Sequence, residues 1–238
     1  MKRKKFLTAE WRKLVMANYI VSPESLKAYL PANTELDLWE GKCYVSLVGF
    51  MFQEVRVKGI KIPFHINFPE VNLRFYVRYK EGDEWKRGVV FIKEIVSKPA
   101  ITFIANKLFK EHYATMPMKY LWNGEDNHLH ISYQWKKNKK WNKLEVMADK
   151  QAKVLPANSE EEFITEHFWG YTNFAKNKTG EYQVAHPRWD IYTVKDFNID
   201  CDFASIYGET FKSLDDRNPD SVFLAEGSAI DVFQKRIL

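Results

Sequence analysis

The 238-residue sequence predicts a mainly antiparallel β protein of the α+β class, its sheet curled into a barrel or cone and flanked by a few helices. Three observations lead there. Aromatic residues make up 16% of the chain, with 17 Phe, 12 Tyr and 8 Trp, and such side chains suit half-buried pleated surfaces. Short alternating or apolar runs follow one another with tight turns between them, in hairpin-like succession and without a βαβ rhythm. Hydrophobic residues reach 45%, enough for a sizeable core that a sheet of about nine strands encloses by curling. No repeat, low-complexity tract or linker interrupts residues 1–238, so one domain is expected.

The elements are expected in this order. Thr8 reads as the cap of a short helix carrying Trp11 and Leu14. Ser22 caps a second helix, with Pro23 at its first position, Leu26, Tyr29 and Leu30 on one face, and Pro31 ending it. Strand residues 35–39, a Glu40-Gly41 turn and strand residues 42–52 form a hairpin. Pro63 and Pro69 bracket a loop whose His65 and Asn67 hang over a cavity mouth. Residues 71–79 alternate strictly, Val71, Leu73, Phe75, Val77 and Tyr79 on one face against Asn72, Arg74, Tyr76 and Arg78 on the other. A turn at 81–83 leads to a strand at 85–96, then a helix at 100–109 with Ile101, Ile104, Ala105 and Leu108 at helical spacing. Strands follow at 116–122, 128–135 and 141–149. Ser159 and Glu162 form a capping box that opens a helix through Phe163, His167 and Phe168. A turn at 177–180, a strand at 189–197 and a last strand at 221–233, interrupted at Gly227, complete the chain.

Charge and cysteine usage narrow the function classes. The net charge of +5 comes largely from two clusters, Lys2 to Lys5 and the run of Lys136, Lys137, Lys139, Lys140 and Lys143. A nucleic-acid binder spreads its basic residues over a face or groove, so nucleic acid is not the expected partner. Cys43 and Cys201 are far apart and offer neither a disulfide framework nor a CxxC pair, which fits buried thiols in a reducing cytoplasm. The start, MKRKKFLTAEWRK, has basic residues but no apolar stretch behind them, so no secretory signal is expected. No window reaches 18 consecutive apolar residues, and a soluble cytoplasmic protein without a membrane partner is the expectation.

No P-loop, GxGxxG or GxSxG run is present, which removes the familiar nucleotide enzymes and serine hydrolases. No cofactor is expected. His128 and His130 share a strand face and could bind a metal, but no third ligand lies nearby, and an exposed face explains them. Glu166 and His167 are neighbours on a helix and point about 100° apart. His186, in AHPRW, suits an acid–base role or a hydrogen bond that pins the strand entry. Arg74 stands mid-strand between Asn72 and Tyr76. If that face lines a barrel, its guanidinium needs an anion, either Glu94 or a ligand carboxylate; if it faces outward, it is solvated. The lysines beside Trp135 and Trp141 resemble a nucleic-acid patch, or a soluble hairpin turn.

Several runs together resemble a known group: ANYIV, PESLKAYLP, LDLWEGKCYVSLVGF, NLRFYV, WKRGVVFIKEIV, the MPM at Met116, HFWGYT and AHPRW. They are similar to the YqjF-like family of uncharacterised bacterial proteins, a branch of the acetoacetate decarboxylase-like superfamily, over nearly the whole chain. The resemblance implies a cone-like antiparallel barrel with a central cavity. The superfamily's decarboxylases use a lysine Schiff base within a G-R-E-x-x-G-x-P-K-K type run. Its nearest counterpart here is ANKLFKEHY, Ala105 to Tyr113, where Tyr113 stands at the lysine position and His112 at the proline. The paired lysines are absent, and Lys107, Lys110 and Lys119 lie outside the motif.

The leading expectation is therefore a barrel that binds a small ligand carrying a carbonyl or carboxylate group. Arg74 would orient that group, with Glu94, His112, Tyr113 and His186 as polar partners. The alternatives are a lyase or hydrolase using Lys107 or Lys110 as an amine nucleophile, and a nucleic-acid-binding protein using the lysine hairpin. The oligomeric state is not legible in the sequence.

Overall fold

Long β-branched and aromatic runs need strand neighbours on both edges, and the chain supplies them. The computed structural model, which describes residues 3–124 and 128–238, shows fourteen strands among those residues. The first eight are β1 (Lys5–Val21), β2 (Thr34–Leu36), β3 (Cys43–Val57), β4 (Phe68–Glu81), β5 (Glu84–Val96), β6 (Tyr113–Thr115), β7 (Met118–Asn123) and β8 (His128–Lys137). They are followed by β9 (Lys140–Lys153), β10 (Trp169–Ala175), β11 (Lys178–Ala185), β12 (Ile191–Asp200), β13 (Ser221–Phe233) and β14 (Arg236–Ile237). Three short α-helices, α1 (Pro99–Ile104), α2 (Glu160–Thr165) and α3 (Phe203–Tyr207), lie between them.

Strands β11, β10, β5, β4, β3, β1 and β13 pair in that order, and β11 pairs with β13 through Val184 with Val232 and Ala185 with Asp231, closing a ring. Most pairs are antiparallel, while β10 and β6 run parallel to β5. Bulges bend the long strands that curl the ring. On β1 the extra residue falls beside Lys13 (φ +53°), and on β3 beside Glu54 (φ +54°). From β13 the sheet continues through β12, β9, β8 and β7 as an arm that folds back over the ring's outside. A Cβ at Gly49 of β3 would lie 2.8 Å from the Tyr133 ring and 3.2 Å from Leu144, so the arm packs tightly on the ring. The architecture is a curled mixed sheet, part ring and part covering arm, and not a plain barrel.

Two apolar clusters result. The outer one joins Val71, Leu73, Phe75 and Val77 of β4 to Ile131, Tyr133, Leu144 and Val146 of the arm and to Phe203 and Ile206 of α3. Each aliphatic side chain buried there contributes roughly 1.5–3 kcal/mol. The inner cluster lies within the ring and includes Leu14, Met16, Phe50, Phe52, Phe68, Tyr76 and Val89, and Phe163 of α2 packs against Tyr44 and Tyr76.

The α+β, strand-dominated class is as expected, with several local corrections. The segment from Thr8 is not helical; it belongs to β1. The helix capped by Ser22 is a 3-10 helix, Pro23–Tyr29, whose cap hydroxyl accepts from Glu24 N. The expected hairpin at 35–52 shrinks to one bridge, Trp39 with Lys42, because β2 pairs with β4 and β3 pairs with β1 and β4. The capping box at Ser159 holds, but α2 stops at Thr165, before His167. Residues 169–175 and 178–185 are a hairpin that the sequence marked only by its turn, and Gly180 lies within its second strand. Gly227 does not interrupt β13. With φ +81° and room for a Cβ only 1.9 Å from Trp11 O, glycine lets the strand stay against β1.

Candidate functional site

The ring encloses a cavity of about 280 Å³, lined mostly by apolar side chains such as Trp11, Phe50, Phe52, Phe68 and Phe91. Ile101, Ile104 and Ala105, from α1 and the π-helical turn Ala105–Phe109 behind it, line one part, and Ile62 and His65 of the loop before β4 another. The sequence placed His65 and Asn67 at the mouth. His65 does line the cavity, while Asn67 accepts from Glu54 N at 2.9 Å and ties the loop to β3.

Strand period two brings Glu70, Asn72 and Arg74 to the inside of β4. Asn72 pairs with Glu94 of β5, and Glu94 with Tyr113 of β6, so these three stand on one rung. A bulge shifts the β4–β5 register between Leu73 and Arg74, which puts Phe91 and Glu94, three residues apart, on the cavity wall together. Asn106 clamps the Tyr113 backbone on both sides, donating to its O at 2.9 Å and accepting from its N at 2.8 Å.

Glu70 accepts from Asn72 Nδ2 at 3.0 Å on Oε1 and from the Tyr113 hydroxyl at 3.0 Å on Oε2. Burial pushes its carboxyl up to about 7 against those two hydrogen bonds, and the Glu111 charge adds to the rise. Burial and the neighbouring carboxylates Glu111 and Glu70 hold Glu94 well above the usual carboxylate range. Glu111 is also raised by burial, although Lys235 bonds it at 3.0 Å. Arg74, 7% exposed, reaches Met16 Sδ at 3.9 Å and lies 5.8 Å from the Tyr76 ring centroid.

His167 follows α2 and lies against the cavity. Its Nε2 bonds Asp37 Oδ2 at 3.1 Å, and Arg87 bonds the same oxygen at 2.6 Å. Burial holds the imidazole down at about 4. For Asp37 burial alone would raise the carboxyl, but the hydrogen bonds from His167 and Arg87 outweigh it and keep it low.

Nine buried side-chain nitrogens or oxygens lack a hydrogen-bond partner among the described residues. Five of them, Trp11 Nε1, Asn72 Oδ1, Arg74 Nε, Glu94 Oε2 and His167 Nδ1, belong to residues that line the cavity. Buried polar atoms without partners are uncommon, and five of these nine are concentrated on this one wall.

Of the five residues singled out from the sequence, the cavity brings together Arg74, Glu94 and Tyr113. His112 is exposed, with its carbonyl accepting from Glu94 N at 3.1 Å. His186 stacks on Trp189 with ring centroids 4.2 Å apart and bonds Pro187 O through Nδ1, the strand-entry role. Neither is among the lining residues. Sequence reasoning missed Glu70, Glu111 and Lys235; Glu70 alone left a signal, since it shares the parity of Asn72 and Arg74. Lys107 and Lys110 are exposed beyond α1. His130 pairs with Glu145 at 3.3 Å on the arm. No described helix is long and apolar enough to cross a membrane.

Solved structures share this architecture. Acetoacetate decarboxylase from Legionella pneumophila matches with a TM-score of 0.67 at 12% identity, over 98% of this chain and 87% of that one. The enduracididine biosynthesis enzyme MppR, solved with pyruvate, matches with a TM-score of 0.69 at 12% identity, over 100% and 91% of the two chains. At such identity the likeness is one of fold. The uncharacterised protein YqjF of Bacillus subtilis (strain 168) is 28% identical over 184 residues, 75% of this chain and 72% of that protein. The model of DUF2071, an uncharacterised conserved protein family, matches residues 8–229, and the chain belongs to that family.

Proposed function

We propose that the ring cavity binds a small organic acid or ketone, with an apolar body against Phe50, Phe52 and Phe91 and its carboxylate or carbonyl oxygen on Arg74. The observation that carries this reading is Arg74 itself: a guanidinium inside an apolar ring, with its Nε unpartnered among the described residues. Such a group is retained against its desolvation cost where it meets an anion or a polarised oxygen. Three features support the ligand class. The volume suits a molecule of modest size. A protonated Glu94 can donate a hydrogen bond to the same oxygen. MppR, of the same fold, was solved with pyruvate.

The test is thermal-shift screening against keto acids, fatty acids and aromatic acids, since a ligand that binds only the folded state raises its apparent stability. At least one acid should raise the Tm of the wild type and fail to raise that of Arg74→Met. Equal shifts in both proteins would place the ligand elsewhere and refute the reading.

A further inference from the structure

We propose that Glu70 and Glu94 act as an acid–base pair that moves a proton between carbon and oxygen of the bound carbonyl compound, an enolisation with Arg74 holding the oxygen. This rests on the ligand reading above and adds a reaction to it.

The two carboxyls share one wall but differ in surroundings. Both oxygens of Glu70 accept a hydrogen bond, from Asn72 and from Tyr113, which is how an ionised carboxylate is held. Glu94 presents Oε2 without a partner among the described residues, and burial with the carboxylates Glu111 and Glu70 outweighs the opposing Tyr113 hydrogen bond and Lys235 charge, surroundings that favour the neutral acid. Two carboxyls pushed apart in this way divide the roles of base and acid. The Tyr113 hydroxyl donates to Glu70 at 3.0 Å and stands close enough to Glu94 to bear on its titration. Both histidines that line the cavity have a ring nitrogen engaged, His167 Nε2 with Asp37 and His65 Nδ1 with Pro63 O at 2.8 Å, and His112 and His186 are not among the lining residues.

The step balances without a co-reactant. Glu70 carboxylate takes the proton from the carbon beside the carbonyl, and the C–H electrons form the carbon–carbon double bond. The carbonyl π pair moves to oxygen, where Arg74 stabilises the charge and Glu94 delivers its proton. The product is the enol, with Glu70 protonated and Glu94 ionised. Tyr113 then accepts the Glu70 proton and passes its own to Glu94, which restores the starting state. Run backwards, the same groups return the enol to the ketone.

The test uses 2-oxobutanoate and phenylpyruvate in D₂O, with proton NMR following loss of the signal at the carbon beside the carbonyl. The wild-type protein should accelerate exchange over heat-unfolded protein, and Glu70→Gln should lower the rate about 100-fold or more while the same acid still raises its Tm. Should Glu70→Gln fail to fold, Glu70→Asp withdraws the carboxylate by one carbon and must also slow exchange. Equal rates in wild type and either variant, with the acid bound in both, overturn the proposal. So does exchange that borohydride abolishes while adding mass to a lysine, since the route would then be an imine. If no acid stabilises the protein, the ligand reading falls and takes this step with it.

Discussion

Two polar clusters are buried inside the ring, and they are built in opposite ways. One crosses the strands as a chain of hydrogen bonds. The Tyr76 hydroxyl meets Ser46 Oγ at 2.6 Å, Ser46 donates to Asn18 Oδ1 at 2.6 Å, and Asn18 Nδ2 donates to Ser221 Oγ at 3.0 Å. Ser221 continues to Glu160 of α2, which also accepts from Tyr44 at 3.0 Å. Each of these side chains has a partner, and the chain pins α2 against the ring. The other cluster, on the cavity wall, leaves Asn72 Oδ1, Arg74 Nε and Glu94 Oε2 without one among the described residues. A satisfied network specifies structure, whereas buried polar atoms left without partners cost stability.

The sharpest way to break that comparison is to remove one member of each. Asn18→Leu leaves Ser46 and Ser221 without a shared partner and should cost about 2–3 kcal/mol, read as a lowered urea midpoint. Arg74→Met replaces a desolvated cation by an apolar side chain of similar length and should cost nothing or add about 1 kcal/mol, while abolishing the acid-induced Tm shift. A large loss at Arg74 would mean that its role is structural, like that of Asn18.

A pH series sharpens the same contrast at smaller amplitude. The folded protein holds the Glu70 proton up to about pH 7, whereas the unfolded chain releases it near the ordinary value of 4.5. That contribution to stability is therefore complete below 4.5 and is lost as pH rises through 7. His167 and His186, held down at about 4 by burial, work the other way, and their contribution is complete above the ordinary 6.5 and lost toward 4. Above 6.5 the histidine contribution to the slope fades, and the raised carboxyls Glu94, Glu111 and Glu166 act in the same direction as Glu70 and set the sign. Between pH 6.5 and 8 the unfolding free energy should fall by about 1 kcal/mol or more, and Glu70→Gln should flatten the slope. A wild-type slope of zero would place Glu70 among ordinary solvated carboxylates.

What the sequence made legible follows from where the strand period is kept. Strand β4 alternates without a fault, so both its faces, and Arg74 with them, could be read directly. Strand β1 was misread because its bulge beside Lys13 turns the spacing of inward residues from two to three: Trp11 and Leu14 both face the ring, at an interval that imitates a helix. The β5 bulge hides in the same way that Phe91 and Glu94 share a wall. Glu70 falls just outside the expected strand at 71–79 because Pro69 closes the expected loop, yet Pro69 lies within β4 opposite Met51. Glu111 and Lys235, 124 residues apart, meet only through the ring, and no local pattern announces such a pair.

The arm offers the smallest effect, with the opposite sign. Its lysine cluster reads more simply as a turn than as an anion-binding patch. Lys137 pairs with Lys140, and the two residues between them, Asn138 and Lys139, have φ of +48° and +66°. A two-residue hairpin of this kind prefers Asn-Gly, and lysine at the second position bears a left-handed backbone that glycine adopts freely. Lys139→Gly should therefore stabilise the protein by up to about 1 kcal/mol, a Tm gain of roughly 2–4 °C. The same variant should leave the acid-induced shift intact, since the turn lies on the arm, away from the cavity wall. If it instead weakened a salt-sensitive association with generic RNA or DNA, the lysines would be acting as a phosphate-binding group, and the arm, not the ring, would be the working surface.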